Sequence, residues 1–218
     1  MVIFDCNGVL VDSEPIASAV LAEALTRAGI AVSADVVARR FHGRRPVDIF
    51  AAVEAATGKK LPPAFASVVA VETLRRFRTQ LRALPHVVHA LTWIRGPKAV
   101  ASSSPLDRVQ ASLEIAGLRQ FFGQRLFSAS NVARGKPAPD VFEFAAARAQ
   151  INPADCIVVE DSVSGVTAAV AAGMRAVGYV GGSQTPGRLA RDLVAAGAHT
   201  AIADMRVLKG TIADLRGW

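Results

Sequence analysis

From about residue 86 onward the chain alternates between two periodicities, and that alternation limits the possible folds more than any other feature. Short apolar runs of strand length occur at Lys98–Ala101, Arg125–Ser128, Cys156–Glu160, Ala176–Val180 and Thr200–Ile202. Between them, apolar residues recur at helical spacing, at about 87–94, 105–115, 138–149, 163–173, 187–196 and 204–214. Strands spaced by helices imply crossover connections, which give a parallel sheet covered on both faces. One further strand of this kind, Val2-Ile3-Phe4, stands at the start of the chain.

The stretch between that first strand and residue 86 has a different texture. Ile16, Val20, Leu21 and Leu25 recur at helical spacing until Gly29, with Ser13 placed to cap and Pro15 suited to the first turn. Further helices are expected at about 34–41, 46–57 and 63–83, with Thr57-Gly58 and Pro62-Pro63 as breaks. No strand is expected between Asp12 and Pro85. The fold class is therefore α/β: a doubly wound parallel sheet built from residues 1–12 and 86–218, with an α-helical cap, residues 13–85, inserted after the first strand. Residues 181–187, Gly-Gly-Ser-Gln-Thr-Pro-Gly, form a strand-to-helix loop near the same sheet edge.

Composition bounds the function classes. Of 218 residues, 51% are hydrophobic and 20% charged, enough for a real core, and with aromatics at 6% that core must be filled by Ala, Val and Leu. No apolar run is long enough to span a bilayer, and the chain enters a strand without a charged leader, so a cytoplasmic protein with no membrane partner is expected. Cys6 and Cys156 are too few for a disulfide framework or a metal site, and each lies beside a strand, so both are expected as buried thiols. The formal charge of +7 raises nucleic acid as a partner. The arginines, however, are spread through helices without interleaved aromatics, so no nucleic-acid partner is expected. The densest cluster, Arg39-Arg40-Phe41-His42-Gly43-Arg44-Arg45, suits a small anionic substrate. Oligomeric state is not readable.

Four strands deliver polar residues to one edge of the sheet, where ligands bind in open α/β folds. The first runs into Asp5-Cys6-Asn7-Gly8. The second ends in Ser102-Ser103-Ser104-Pro105, hydroxyls and amides at the start of a helix, which suits an anion. After the third comes Gly135-Lys136-Pro137-Ala138-Pro139-Asp140, where two prolines stiffen the turn that aims the lysine. The fourth runs into Glu160-Asp161-Ser162, two adjacent acids that are costly to bury unless a cation or hydrogen-bond donors compensate them. Hard oxygen ligands of this kind suit Mg²⁺.

Taken in that order, Asp-x-Asn-Gly, Ser-Ser-Ser, Lys-Pro-x-Pro-Asp and Glu-Asp-Ser-x-x-Gly resemble the motifs of the haloacid dehalogenase superfamily. The helical insert looks like the cap of its β-phosphoglucomutase-like phosphatase branch. The resemblance covers essentially the whole chain and implies a Rossmann-like core and a Mg²⁺-dependent phosphatase acting on a small phosphorylated metabolite. It implies that Asp5 is the nucleophile, forming an aspartyl phosphate. Ser102 and Lys136, with the Ser103 amide, would bind the transferring phosphoryl group. Glu160 and Asp161 would hold Mg²⁺ together with Asp5 and the backbone carbonyl of Asn7. The cap would exclude water and select the leaving group, with Arg44 and Arg45 as the candidates for holding the rest of the substrate. A phosphomutase of the β-phosphoglucomutase type, or a phosphate-ligand binder without turnover, is the alternative.

Residue 7 departs from the pattern. The family has a second Asp there, acting as general acid and then base, whereas Asn7 cannot hold or release a proton at neutral pH. That help is typically worth about 10²–10⁴-fold in rate. Three explanations stand open: a substitution that traps an ordinary phosphatase, a natural slow phosphatase or binder, or a branch without the second acid. The third is disfavoured by the intact Glu160-Asp161 pair and by a cap whose only lysines, Lys59 and Lys60, fall in a loop.

Overall fold

The computed structural model describes residues 1–182 and 185–217. Six strands, β1 (Val2–Phe4), β2 (Lys98–Ser102), β3 (Leu126–Ser128), β4 (Ile157–Glu160), β5 (Arg175–Tyr179) and β6 (Thr200–Ile202), make one sheet. Its order is β3-β2-β1-β4-β5-β6 and every pairing is parallel. The strands fall within a residue of the expected positions. Of the expected 181–187 loop, Ser183 and Gln184 lie outside the described residues.

Successive residues of a strand face opposite sides of a sheet, and the core divides accordingly. Val2, Phe4, Val100, Val159 and Val177 join one cluster, with α5 (Val87–Trp93), α6 (Leu106–Ile115) and α10 (Leu208–Arg216) packed over them. Ile3, Ala99, Ala101, Val158 and Ala176 join the other, under α7 (Asp140–Ala149), α8 (Val163–Ala171) and α9 (Pro186–Ala195). The alanines on the second face leave room for Phe142 and Phe127. On the first face Phe4 is fully buried and meets Phe122 edge-on at 6.1 Å. Burying one such side chain contributes about 3 kcal/mol.

The insert contains α1 (Glu14–Arg27), α2 (Ala34–Phe41), α3 (Pro46–Thr57) and α4 (Phe65–Gln80). Leu21, Leu25, Val37, Phe41, Val53 and Phe65 form a third cluster of their own. The last turn of α4 and the segment after it are different: Phe77, Leu81 and Leu84 pack into the core beneath the sheet. The helix stops at Gln80 rather than near 83, because Leu81 is extended (ψ 136°) and leads the chain back to the core. Ser33 caps α2 through its side chain, which accepts from the Val36 amide. Ser13, expected to cap α1, makes no such bond; its hydroxyl turns instead to Asn7. Both cysteines are buried free thiols. Among the described residues no helix is long and apolar enough to cross a membrane.

Candidate active site

Parallel order places β1 between β2 and β4, so the loops that follow these three strands lie side by side. Asp5 leaves β1 and the chain reverses at once: the Leu10 and Val11 amides return to the Cys6 carbonyl, at 3.0 and 3.1 Å. Gly8, at φ 73°, makes this turn possible. A Cβ there would also lie 1.8 Å from Asp161 Oδ2, so the absent side chain is what lets the acid approach.

Lys136 is the centre of the charge arrangement. Its Nζ donates to Asp5 Oδ1 at 2.6 Å, to Glu160 Oε1 at 2.5 Å and to the Ala101 carbonyl at 3.0 Å. All three ammonium protons therefore have acceptors. The side chain is fully buried, which by itself lowers an ammonium pKa, but the charges of Asp5 and Glu160 outweigh that and hold it up. Burial pushes the Asp5 carboxyl up; Lys136 opposes this, while Glu160 and Asp161 add to it.

Glu160 is saturated with donors. Besides Lys136 on one oxygen, its Oε2 accepts from the Asp161 amide (3.1 Å), the Ser162 amide (3.1 Å) and the Ser162 hydroxyl (2.9 Å). Glu160, expected as a metal ligand, meets Lys136 through Oε1 and braces the following loop through Oε2. Asp161 is freer, and its one side-chain partner is His42 Nε2 at 3.1 Å. The Asp161 charge raises the His42 pKa to about 10.

The serine loop is braced from several directions. Ser102, completely buried, accepts from the Ser104 amide at 3.2 Å, and the Ser104 carbonyl accepts from Ser128 Oγ at 2.7 Å. Ser104 Oγ accepts from Asn7 Nδ2 at 2.8 Å, and Ser13 Oγ donates to Asn7 Oδ1 at 3.0 Å. Residue 7 is thus clamped between two hydroxyls.

The cap reaches this edge through the His42-Gly43-Arg44 turn between α2 and α3. Ser103 Oγ donates to the Gly43 carbonyl at 2.8 Å. Gly43 sits at φ 73°, and a Cβ there would lie 2.7 Å from Ser162 Oγ. Gly43→Ala should therefore hold the turn off the core. Backbone strain alone costs about 1–2 kcal/mol, so affinity for a phosphorylated ligand is expected to fall about tenfold or more by calorimetry. Unchanged affinity would show that ligand binding does not need the turn seated.

The structure brings Asp5, Asn7, Ser103, Lys136, Glu160 and Asp161 together around one cleft, with Ser102 buried directly behind the serine loop. Arg44 is exposed and lines the cleft. Arg45 does not: it forms a two-pronged ion pair with Asp48, at 2.7 and 3.0 Å, and lies against Gly135. Of the two arginines expected at the substrate, Arg44 alone is among the residues that line this cleft. Residues not singled out from the sequence also line the cleft, chiefly Glu14, His42, Ser104 and Arg108.

The haloacid dehalogenase-like hydrolase family matches residues 1–173 of this chain. The chain belongs to that family. Among curated relatives it is 33% identical to the 6-phosphogluconate phosphatase of Escherichia coli over 174 residues, 79% of each protein. Among solved structures it is similar to a conserved haloacid dehalogenase-like protein of Agrobacterium tumefaciens, with 34% identity, a TM-score of 0.81 and 99% and 98% of the two chains covered. A putative β-phosphoglucomutase from Thermotoga maritima superposes with a TM-score of 0.74 at 27% identity, covering 98% of both chains. This haloacid dehalogenase-like hydrolase gathers Asp5, Asn7, Ser103, Lys136, Glu160 and Asp161 around one cleft.

Proposed function

We propose that the chain hydrolyses a small phosphomonoester of a sugar or sugar acid through an aspartyl phosphate on Asp5. The observation that carries this reading is the Lys136 ammonium bridging Asp5 and Glu160 next to the serine loop. Phosphoryl transfer needs an aligned nucleophile and positive charge or donors at the equatorial oxygens, with little other chemistry from the protein. Asp5 has one oxygen fixed by Lys136, leaving the other to attack phosphorus while the ester P–O bond breaks. The loop amides, the Ser102 hydroxyl once turned toward the cleft, and Lys136 after exchanging its bond to Asp5 would then hold the transferred phosphoryl group. Water next attacks the acyl phosphate, releasing inorganic phosphate and restoring the carboxylate. The substrates of relatives such as the Escherichia coli 6-phosphogluconate phosphatase support the assignment to small phosphorylated sugars.

Among the described residues no three His, Cys, Asp or Glu side chains cluster as a metal-holding group. The donor set that would hold Mg²⁺ is all oxygen: Asp5, Glu160, Asp161 and the Asn7 carbonyl. The tight seat of Asp161 against Gly8 supports this set. When bound there, Mg²⁺ would offset repulsion between Asp5 and an incoming phosphate. Asp161→Ala should weaken Mg²⁺ binding strongly by calorimetry, and an unaltered affinity would remove Asp161 from the set.

Asn7 favours a second reading, a ligand binder with little turnover, because its amide donates hydrogen bonds but no proton. Both readings leave Asp5 able to react with an activated acyl or aryl phosphate, whose leaving group needs little protonation. After a short incubation with Mg²⁺, mass spectrometry should find one added phosphoryl group on Asp5. Its absence would contradict the covalent route.

A further inference from the structure

Arg108 stands on the first turn of α6, just beyond the serine loop, and lines the cleft with Glu14 and Thr73 of the cap. Its Nε is buried without a hydrogen-bond partner. No acidic side chain among the described residues lies within ion-pair distance of its guanidinium, whereas Arg45, Arg76, Arg134 and Arg206 each have a close acid. Phe77 covers one face of the guanidinium, 5.1 Å from the ring centre. Burial lowers the Arg108 pKa, and the Glu14 and Asp107 carboxyls oppose that shift. A half-buried guanidinium whose Nε lacks a partner is a natural receptor for a planar two-oxygen anion.

The charges that act on Asp5 are those of Lys136, Glu160 and Asp161. Arg108 lines the cleft together with Glu14 and Thr73, residues of the cap. The group it would meet is therefore carried by the part of the ligand away from the reacting phosphorus. With Phe77 over its face, the in-plane N–H edge is what remains available, and a carboxylate can lie in that plane and accept two bonds. Glu14 beside it disfavours a second phosphoryl dianion more than a singly charged carboxylate. It also offers acceptors to hydroxyls along the ligand's carbon chain.

We propose that Arg108 is a specificity residue that receives a substrate carboxylate, so that phosphomonoesters of sugar acids are bound in preference to those of neutral polyols. This rests on the phosphatase reading for the position of the phosphoryl group. Calorimetry on the full chain with Mg²⁺ would compare a six-carbon aldonic acid 6-phosphate with the hexitol 6-phosphate, which differs only at C1. The acid is expected to bind about tenfold tighter or more, as charged hydrogen bonds in a buried site allow. Arg108→Met keeps bulk against Phe77 and should reduce the preference for the acid to about twofold or less. Arg108→Lys should retain part of it. Equal affinity of the unaltered chain for both ligands would overturn this proposal while leaving the phosphatase reading intact. Binding of neither ligand would overturn both. A preference that survives in a folded Arg108→Met would place the carboxylate elsewhere.

Discussion

Replacing Asn7 with Asp raises the rate of phosphate release from a small phosphomonoester by roughly 10²-fold or more. The effect enters twice, because one carboxylic acid would protonate the departing alkoxide and the resulting carboxylate would then draw a proton from the attacking water. The surroundings of residue 7 already accept either side chain. Ser13 donates to Asn7 Oδ1 and Ser104 accepts from Nδ2. A serine hydroxyl rotates freely between donor and acceptor roles, so Ser104 would donate to a carboxylate without any movement of the backbone. Ground-state affinity should change little, or fall slightly from the added negative charge. Parallel phosphate-release screens of the two chains measure the effect. If Asn7→Asp stays inactive on every phosphomonoester while both forms bind a phosphorylated ligand tightly, the chain is a binder. Rapid turnover by the unaltered chain would show that a different group supplies the proton.

Lys136→Met should lose both activity and stability. The ammonium is the one cation in contact with Asp5 and Glu160 among the described residues, and Met matches its length but not its charge. Removing one partner of a buried ion pair is typically worth about 3–5 kcal/mol of stability. For a chain of this size that corresponds to a melting temperature lower by about 6–20 °C. The loss should depend on pH in a definite direction. Burial already raises the Asp5 pKa in the folded state with Lys136 present. Without the lysine, the folded form would hold protons more tightly still than the unfolded one. A group with a raised folded pKa favours folding as pH falls. As pH falls, the variant should therefore begin to recover stability at a higher pH than the unaltered chain, whose Asp5 pKa is raised to about 8. Equal melting temperatures for the two chains would mean that the lysine is not seated between the acids.

The sheet and its strand positions were legible because parallel strands, buried on both faces, read as nearly continuous apolar runs. Ile157-Val158-Val159 and Ala99-Val100-Ala101 need no knowledge of their partners to be recognised. The four polar loops were legible for a related reason, since a polar group directly after such a run must lie at the sheet edge. What a side chain does beyond its position was less readable. Glu160 and Asp161 are adjacent and chemically alike, yet one is saturated by Lys136 and the Ser162 loop while the other is shared with the cap. That division depends on which way each side chain leaves the strand. Ser13 looked like a cap because its place in sequence is a cap's, and only the fold brings Asn7 within reach of its hydroxyl. Arg108 sits on an ordinary helical turn, and no local pattern marks its Nε as buried without a partner.

The central place of β1 has a consequence for how the chain is made. Its three residues precede both of their neighbours in the sheet, which begin at Lys98 and Ile157. One edge of β1 stays unpaired until β2 has been synthesised, and the other until β4 has. Contacts between segments so far apart form slowly, and unpaired strand edges invite association with other chains. Arrest of synthesis before about residue 157 would leave an apolar strand lacking one of its two neighbours, together with an Asp5 that has no Glu160 to share Lys136. The nascent chain therefore depends on what shields those first residues, and the reactive carboxylate is assembled only in molecules that have been completed through β4.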